Sequence, residues 1–300
     1  LNYDRATIMP PEAIEQRADH IAYVSKQFYG KSTSGEFKGI IRKLYSNKGK
    51  LSTPNRVRVE KYHKMLRRIE KIPLEHVDTF SRLVTKSSQA WEQAKARNNF
   101  KLFAPYLQKL VEMRQEEARL IDGKKHPYDV LLDEFEEGMT VDKLKKVFGE
   151  LKAGLLMIFD KLKDRKAAVI HHKAFSRIGE EEVAKDIVLR ILGDRRVVLG
   201  ESVHPFSDPI SPDDIRLTTA YKDHEPLFSY TSTSHESGHA LYELNFDSKY
   251  RESILYAAPS IGLHESQSKF WEDHIMKHSS WWSFYYPFFK KAHGLRADRK

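Results

Sequence analysis

Between Val141 and Leu162 the apolar residues recur every three or four positions: Val141, Leu144, Phe148, Leu151, Leu155, Ile158 and Leu162. This period sets them along one stripe of an α-helix, and such a stripe predicts a helix with its apolar side buried against a core. Thr140 stands where an N-cap would be. Segments near 53–71, 75–98 and 101–121 carry similar periods. Pro10-Pro11-Glu12 marks another helix start, followed by Ile21, Val24 and Phe28 at apolar positions. A chain dominated by this period is expected to be mainly α. With 300 residues, 40% of them hydrophobic, there is enough apolar material for one large domain or two lobes. We expect a single helical domain over 1–300, with no internal repeat and no low-complexity linker.

Several classes drop out on composition. No apolar run approaches the roughly 18 residues needed to cross a membrane. Leu1-Asn2-Tyr3-Asp4 lacks the basic-then-apolar layout of a signal peptide, and there is no Asn-x-Ser/Thr acceptor, so a cytoplasmic location is expected. The chain has no cysteine, which removes disulfides and thiolate ligands and leaves His, Asp and Glu to bind a metal. A cysteine-free chain rich in Lys, Arg and Glu also suits a thermophile. The net charge of +9 raises nucleic-acid binding. However, its basic residues alternate with acids, as in Lys143 to Lys146 followed by Glu150, which reads as a solvated helix face. Gly30-Lys31-Ser32 imitates the end of a phosphate loop, but Ser25 occupies the required glycine position and the preceding segment is helical.

Near residue 200 the character changes. His204-Pro205-Phe206-Ser207-Asp208-Pro209 and Pro212 predict loop, because prolines at this density prevent a continuous helix. Ile215 to Tyr221 alternates and is rich in β-branched residues, so a small β element is expected there. A helix should follow, with Thr231 to Ser234 supplying cap candidates. Residues 200–275 thus form the segment where the chemistry concentrates.

His235-Glu236-Ser237-Gly238-His239 is the most informative stretch. Residues four apart lie one turn above each other on a helix, so His235 and His239 can grip one ion. Glu236 sits one position round, where its carboxylate can take a proton from water that the ion has acidified. Gly238 costs a helix about 0.5–1 kcal/mol, which suggests a close approach at that point. A catalytic zinc site needs a third protein ligand and an open position. Glu265 is a candidate, with an ordinary solvated helix acid as the competing reading and Glu243 and Glu272 as rival ligands.

Four ordered blocks carry a wider likeness: His204-Pro205-Phe206, Asp214-Ile215-Arg216-Leu217-Thr218, His235 to His239, and His264-Glu265-Ser266-Gln267. With Leu1 to Asp4, Met9-Pro10-Pro11 and Tyr128 to Asp133, they make the chain resemble the carboxypeptidase Taq family of metallocarboxypeptidases. The resemblance implies a multi-helical, neurolysin-like body with a deep groove. It also implies His235 and His239 as paired ligands, Glu236 as general base and Glu265 as third ligand. One divalent ion is expected, zinc first and cobalt as an alternative, with peptides as substrates and a homodimer as the assembly. Stepwise removal of C-terminal residues is the implied reaction. An oligo- or endopeptidase with the same centre, or a metal-binding remnant, is the alternative.

The family carries two further motifs downstream, an arginine motif and a glycine-to-tryptophan motif, that these 300 residues do not contain. Arg296-Ala297-Asp298 imitates the first without its intervening pair. On this basis an incomplete family chain, able to bind metal but poor in hydrolysis, is expected. His204 and His264 are candidates for substrate or supporting contacts. Arg216 could meet a substrate carboxylate, although bracing through Asp214 is the more ordinary role. Trp281 to Phe289 reads as a core helix left half-covered rather than a substrate wall or subunit contact.

Overall fold

The computed structural model describes residues 1–165, 175–193, 196–222, 225 and 227–295. Arg296, Ala297 and Asp298 lie outside the described residues. The chain divides into two compact units, Leu1–Val141 with Lys249–Tyr256, and Asp142–Ser248 with Ala257–Lys300.

The first unit is helical throughout: α1 (Asn2–Thr7), α2 (Ile14–Ser32), α3 (Gly35–Ser46), α4 (Thr53–Ile69), α5 (Leu74–Ala96), α6 (Ala104–Asp122) and α7 (Pro127–Phe135). The periods near 53–71, 75–98 and 101–121 correspond to α4, α5 and α6. On α2 the period is right but the face differs. Val24 and Phe28 are exposed, whereas Ala18 and Ala22 are fully buried. Small residues one turn apart let α5 approach α2 closely. Tyr29 then donates from its hydroxyl to the Ile72 carbonyl at 2.8 Å. A cluster of Ala118, Ile121 and Val130, with Ile72 and Leu131 against it, forms the apolar centre between α6 and α7.

The second unit contains α8 (Val141–Leu162), α9 (Arg177–Leu192), β1 (Val197–Glu201), β2 (Ser207–Ser211), β3 (Asp214–Thr219), α10 (Phe228–Leu244), α11 (Ile261–Lys269), a π-helical segment (Phe270–Ile275) and α12 (Ser279–Ala292). The strands form one sheet in the order β1-β3-β2, with β1 parallel and β2 antiparallel to β3. The expected strand is β3, the central one. The loop expected over His204 to Pro209 is overturned in part, since Ser207–Ser211 is a strand. β2 is an edge, where a proline such as Pro209 is tolerated, and its register shifts between Pro209 and Ser211.

α8 begins at Val141 as the period predicts, but its stripe is not buried. Phe148 is 57% exposed, Leu151 53%, Leu155 55% and Ile158 57%. The period is a local property, whereas burial needs an opposing surface. α12 does what the core-helix reading expects. Tyr285 and Phe289 are buried with Val183, Ile187, Tyr230 and Met276, and Trp281, Trp282 and Phe288 pack around them. Phe284 and Tyr286 remain exposed. The protein is therefore mostly helical with a small three-stranded sheet, and no helix among the described residues is long and apolar enough to cross a membrane.

Candidate active site

α10 is the element on which the site is built. It packs against α9, β3, α11 and the π-helical segment, so it is enclosed on several sides. Residues that permit this are small: Ser229, Thr233, Ser234, Ser237, Gly238 and Ala240 are all buried. Ser234 offsets its desolvation by donating to the Tyr230 carbonyl at 2.7 Å, whereas the buried Thr233 and Ser237 hydroxyls have no hydrogen-bond partner among the described residues. The helix starts at Phe228 after Leu227, two turns before His235. Thr231 and Ser234 are therefore interior residues and not caps, contrary to expectation. Their hydroxyls compete for local carbonyls in either setting, which makes the boundary hard to read.

His235 and His239 project from successive turns, with ring centroids 4.9 Å apart. Glu265, on α11, points its two carboxylate oxygens at the two rings: Oε1 is 3.5 Å from His235 Nε2 and Oε2 is 3.3 Å from His239 Nε2. One ligand atom from each residue lies within 4.8 Å of the others. Tetrahedral ligands at about 2.0–2.2 Å from an ion stand roughly 3.4 Å apart, so these residues fit a divalent metal with little rearrangement. The Glu265 side chain is 46% exposed, leaving an approach from solvent on that side.

Glu265 can come this near because α10 and α11 are in close contact at Gly238. A Cβ there would meet Ser268 Cα at 2.8 Å and the Gln267 carbonyl at 2.9 Å. This is the close approach that the glycine suggested. The other two acids are placed elsewhere. Glu272 accepts at 2.9 Å from the far nitrogen of His235, Nδ1. Glu243 lies 2.9 Å from His264 Nε2, and the His264 ring stacks on His239 at 4.3 Å. Spacing alone could not separate these three glutamates. For Glu272 the available signal was its position seven residues after Glu265, two turns along the same face.

The electrostatics follow from burial. Glu236 is 6% exposed. Burial foremost, then the charges of Glu265, Glu272 and Glu243, push its carboxyl up to about 8 in the metal-free protein. His239 moves the other way, down to about 3, through burial and then through His264 and His235. Its imidazole is thus neutral near pH 7, the form that binds metal.

Two further candidates are occupied by neighbours. Arg216, on β3, forks onto Asp214, with Nε donating at 3.0 Å and Nη2 at 2.8 Å. His204 is exposed, with Nδ1 2.6 Å from the Pro205 carbonyl.

Residues 1–299 match the family model described as Carboxypeptidase Taq (M32) metallopeptidase. Carboxypeptidase 1 of Bacillus subtilis is 32% identical over 299 residues, covering 97% of this chain and 59% of that protein. Thermostable carboxypeptidase 1 of Pyrococcus furiosus is 30% identical over 297 residues, with the same coverage of 97% and 59%. The crystal structure of the M32 carboxypeptidase from Deinococcus radiodurans aligns with a TM-score of 0.85 at 28% identity, covering 98% of this chain and 59% of that one. The chain therefore spans about three-fifths of the length of the curated relatives it matches. A match that runs nearly end to end along the 300 residues decides the assignment: the chain belongs to the carboxypeptidase Taq (M32) family of metallopeptidases.

Proposed function

We propose that the protein is a metal-dependent carboxypeptidase that releases single residues from peptide C-termini. The observation that carries this reading is the convergence of His235 and His239 of α10 with Glu265 of α11, on the helix face next to the buried Glu236 of α10. His235 Nε2, His239 Nε2 and the Glu265 carboxylate would hold one ion, zinc in the first instance and cobalt as a substitute. When bound, that ion supplies Lewis acidity and makes water acidic enough to be deprotonated near neutral pH. Glu236 takes the proton from the attacking water and returns it to the departing amine nitrogen. Burial that favours its protonated form suits the second of these tasks.

The stacking of His264 on His239 and its contact with Glu243 support a substrate or supporting contact for His264. The engagement of Arg216 by Asp214 and of His204 by a carbonyl supports bracing roles for those two. The homodimer belongs to the same reading and is supported by the exposed apolar stripe of α8. A cytoplasmic location is part of the same reading. We treat residues 1–300 as one metallopeptidase body, with both compact units inside the family match.

The test is to incubate the zinc-loaded protein with matched free-acid and C-terminally amidated peptides and follow the products by mass spectrometry. The expected result is slow, stepwise loss of single residues from the acid only. Internal fragments, or equal attack on the amide, would contradict the assignment.

A further inference from the structure

The His235 ring is held from behind. Its Nδ1 lies 2.9 Å from Glu272 Oε2, while its Nε2 faces Glu265. Glu272 is itself fixed: Lys269 Nζ donates to Oε2 at 2.8 Å and Lys277 Nζ donates to Oε1 at 3.0 Å. Its side chain is only 14% exposed. A half-buried carboxylate with both oxygens engaged cannot rotate without breaking charge-assisted hydrogen bonds. It sits in the π-helical segment Phe270–Ile275, an irregularity that recurs at functional positions.

The geometry points to Glu272 as a positioning residue for the metal site: it fixes the tautomer and the plane of His235 so that Nε2 is the free nitrogen aimed at the ion, and the Lys269–Lys277 pair holds it there. An imidazole with its proton on Nδ1 has its lone pair on Nε2, and a carboxylate at Nδ1 both selects that tautomer and strengthens the ring as a donor. A neutral acceptor would select the tautomer less firmly. Unlike Glu265, Glu272 is not aimed at the space between the two Nε2 atoms, so it acts through His235 and not as a ligand. Lys269 and Lys277, which Asp273 also engages at 3.4 and 2.6 Å, offset part of its charge.

This inference rests on His235, His239 and Glu265 being the ligands, and the experiment separates the two claims. Zinc affinity is measured by chelator competition for the parent, Glu272→Gln and Glu272→Ala. Circular dichroism of the metal-free proteins checks the fold. Removing an outer partner of a ligating histidine costs about 10–100-fold in metal affinity, and Glu272→Ala is expected in that range. Glu272→Gln, nearly isosteric, should fall between it and the parent, and the cobalt-loaded variants should show altered visible spectra. Zinc binding within twofold of the parent in both single variants, with unchanged cobalt spectra, overturns the positioning role alone. A parent that binds no zinc overturns the ligand assignment and this inference with it.

Discussion

Gly238 and Ser268 touch backbone to backbone where α10 meets α11, leaving 2.8 Å between Ser268 Cα and the place a Cβ on residue 238 would occupy. The contact fixes how far the Glu265 carboxylate stands from His239, the residue after Gly238, and from His235, three residues before it. In Gly238→Ala the neighbouring atoms that must move are backbone, so the helices have to separate. Overpacking of this kind typically costs about 1–3 kcal/mol, offset in part by the helix propensity of alanine. Urea unfolding should show a net loss of stability, and zinc affinity should fall as well, because Glu265 moves with α11. Parental affinity in the alanine variant would show that the ligand spacing does not depend on this contact.

Glu236→Gln separates metal binding from chemistry. The substitution keeps the shape of the side chain and removes its capacity to accept a proton, so peptide turnover should fall by about two to four orders of magnitude. Metal content should persist, because Glu236 is not one of the convergent ligand residues. Steady-state rates and elemental analysis of the same preparation check both halves.

The raised carboxyl of Glu236 and the lowered imidazole of His239 make the stability of the metal-free protein depend on pH in opposite directions. Above its ordinary value of 4.5 an unfolded glutamate ionises, whereas Glu236 keeps its proton in the native state up to about 8. Native stability is therefore lost as pH rises through that window, by at most roughly 4–5 kcal/mol. Below 6.5 an unfolded histidine takes up a proton that buried His239 refuses until about 3, so stability is lost as pH falls through that window. The melting temperature without metal should peak between about pH 5 and 6. Glu236→Gln should flatten the alkaline limb, and zinc should restore stability at pH 8 by binding only the folded state. An unchanged alkaline decline in the glutamine variant would remove Glu236 as its cause.

The exposed stripe of α8 gives the dimer reading a specific handle. Leu155 and Phe159, at 55% and 67% exposure, lie on successive turns, and a lysine at each would desolvate poorly in any apolar contact. Light scattering should find the parent dimeric at micromolar concentration and the Leu155→Lys/Phe159→Lys variant monomeric. A monomeric parent, or a variant that stays dimeric, contradicts assembly through α8.

What the sequence could reveal follows the range of the physics involved. The helices announced themselves because period is local: α8 begins at Val141, and α4, α5 and α6 fall where their periods lie. His235, Glu236 and His239 were legible as a group because the helix alone sets their spacing. Burial was less legible, since the stripe of α8 and the Val24 and Phe28 side of α2 carry the right period on exposed faces. β1 and β2 gave no usable alternation, and Pro209 disguised an edge strand. Glu265, Glu272 and Glu243 were indistinguishable by spacing. Their separate places, facing both Nε2 atoms, behind His235 and beside His264, are set by how closely α11 packs on α10 at Gly238.

The central claim is that His235, His239 and Glu265 hold one divalent ion. Elemental analysis of the purified protein, beside His239→Ala and Glu236→Gln prepared identically, tests it most directly. The account predicts one zinc or equivalent ion per chain in the parent and in Glu236→Gln, and essentially none in His239→Ala. A parent that takes up no metal from excess zinc, or a His239→Ala variant that retains a full equivalent, would contradict it.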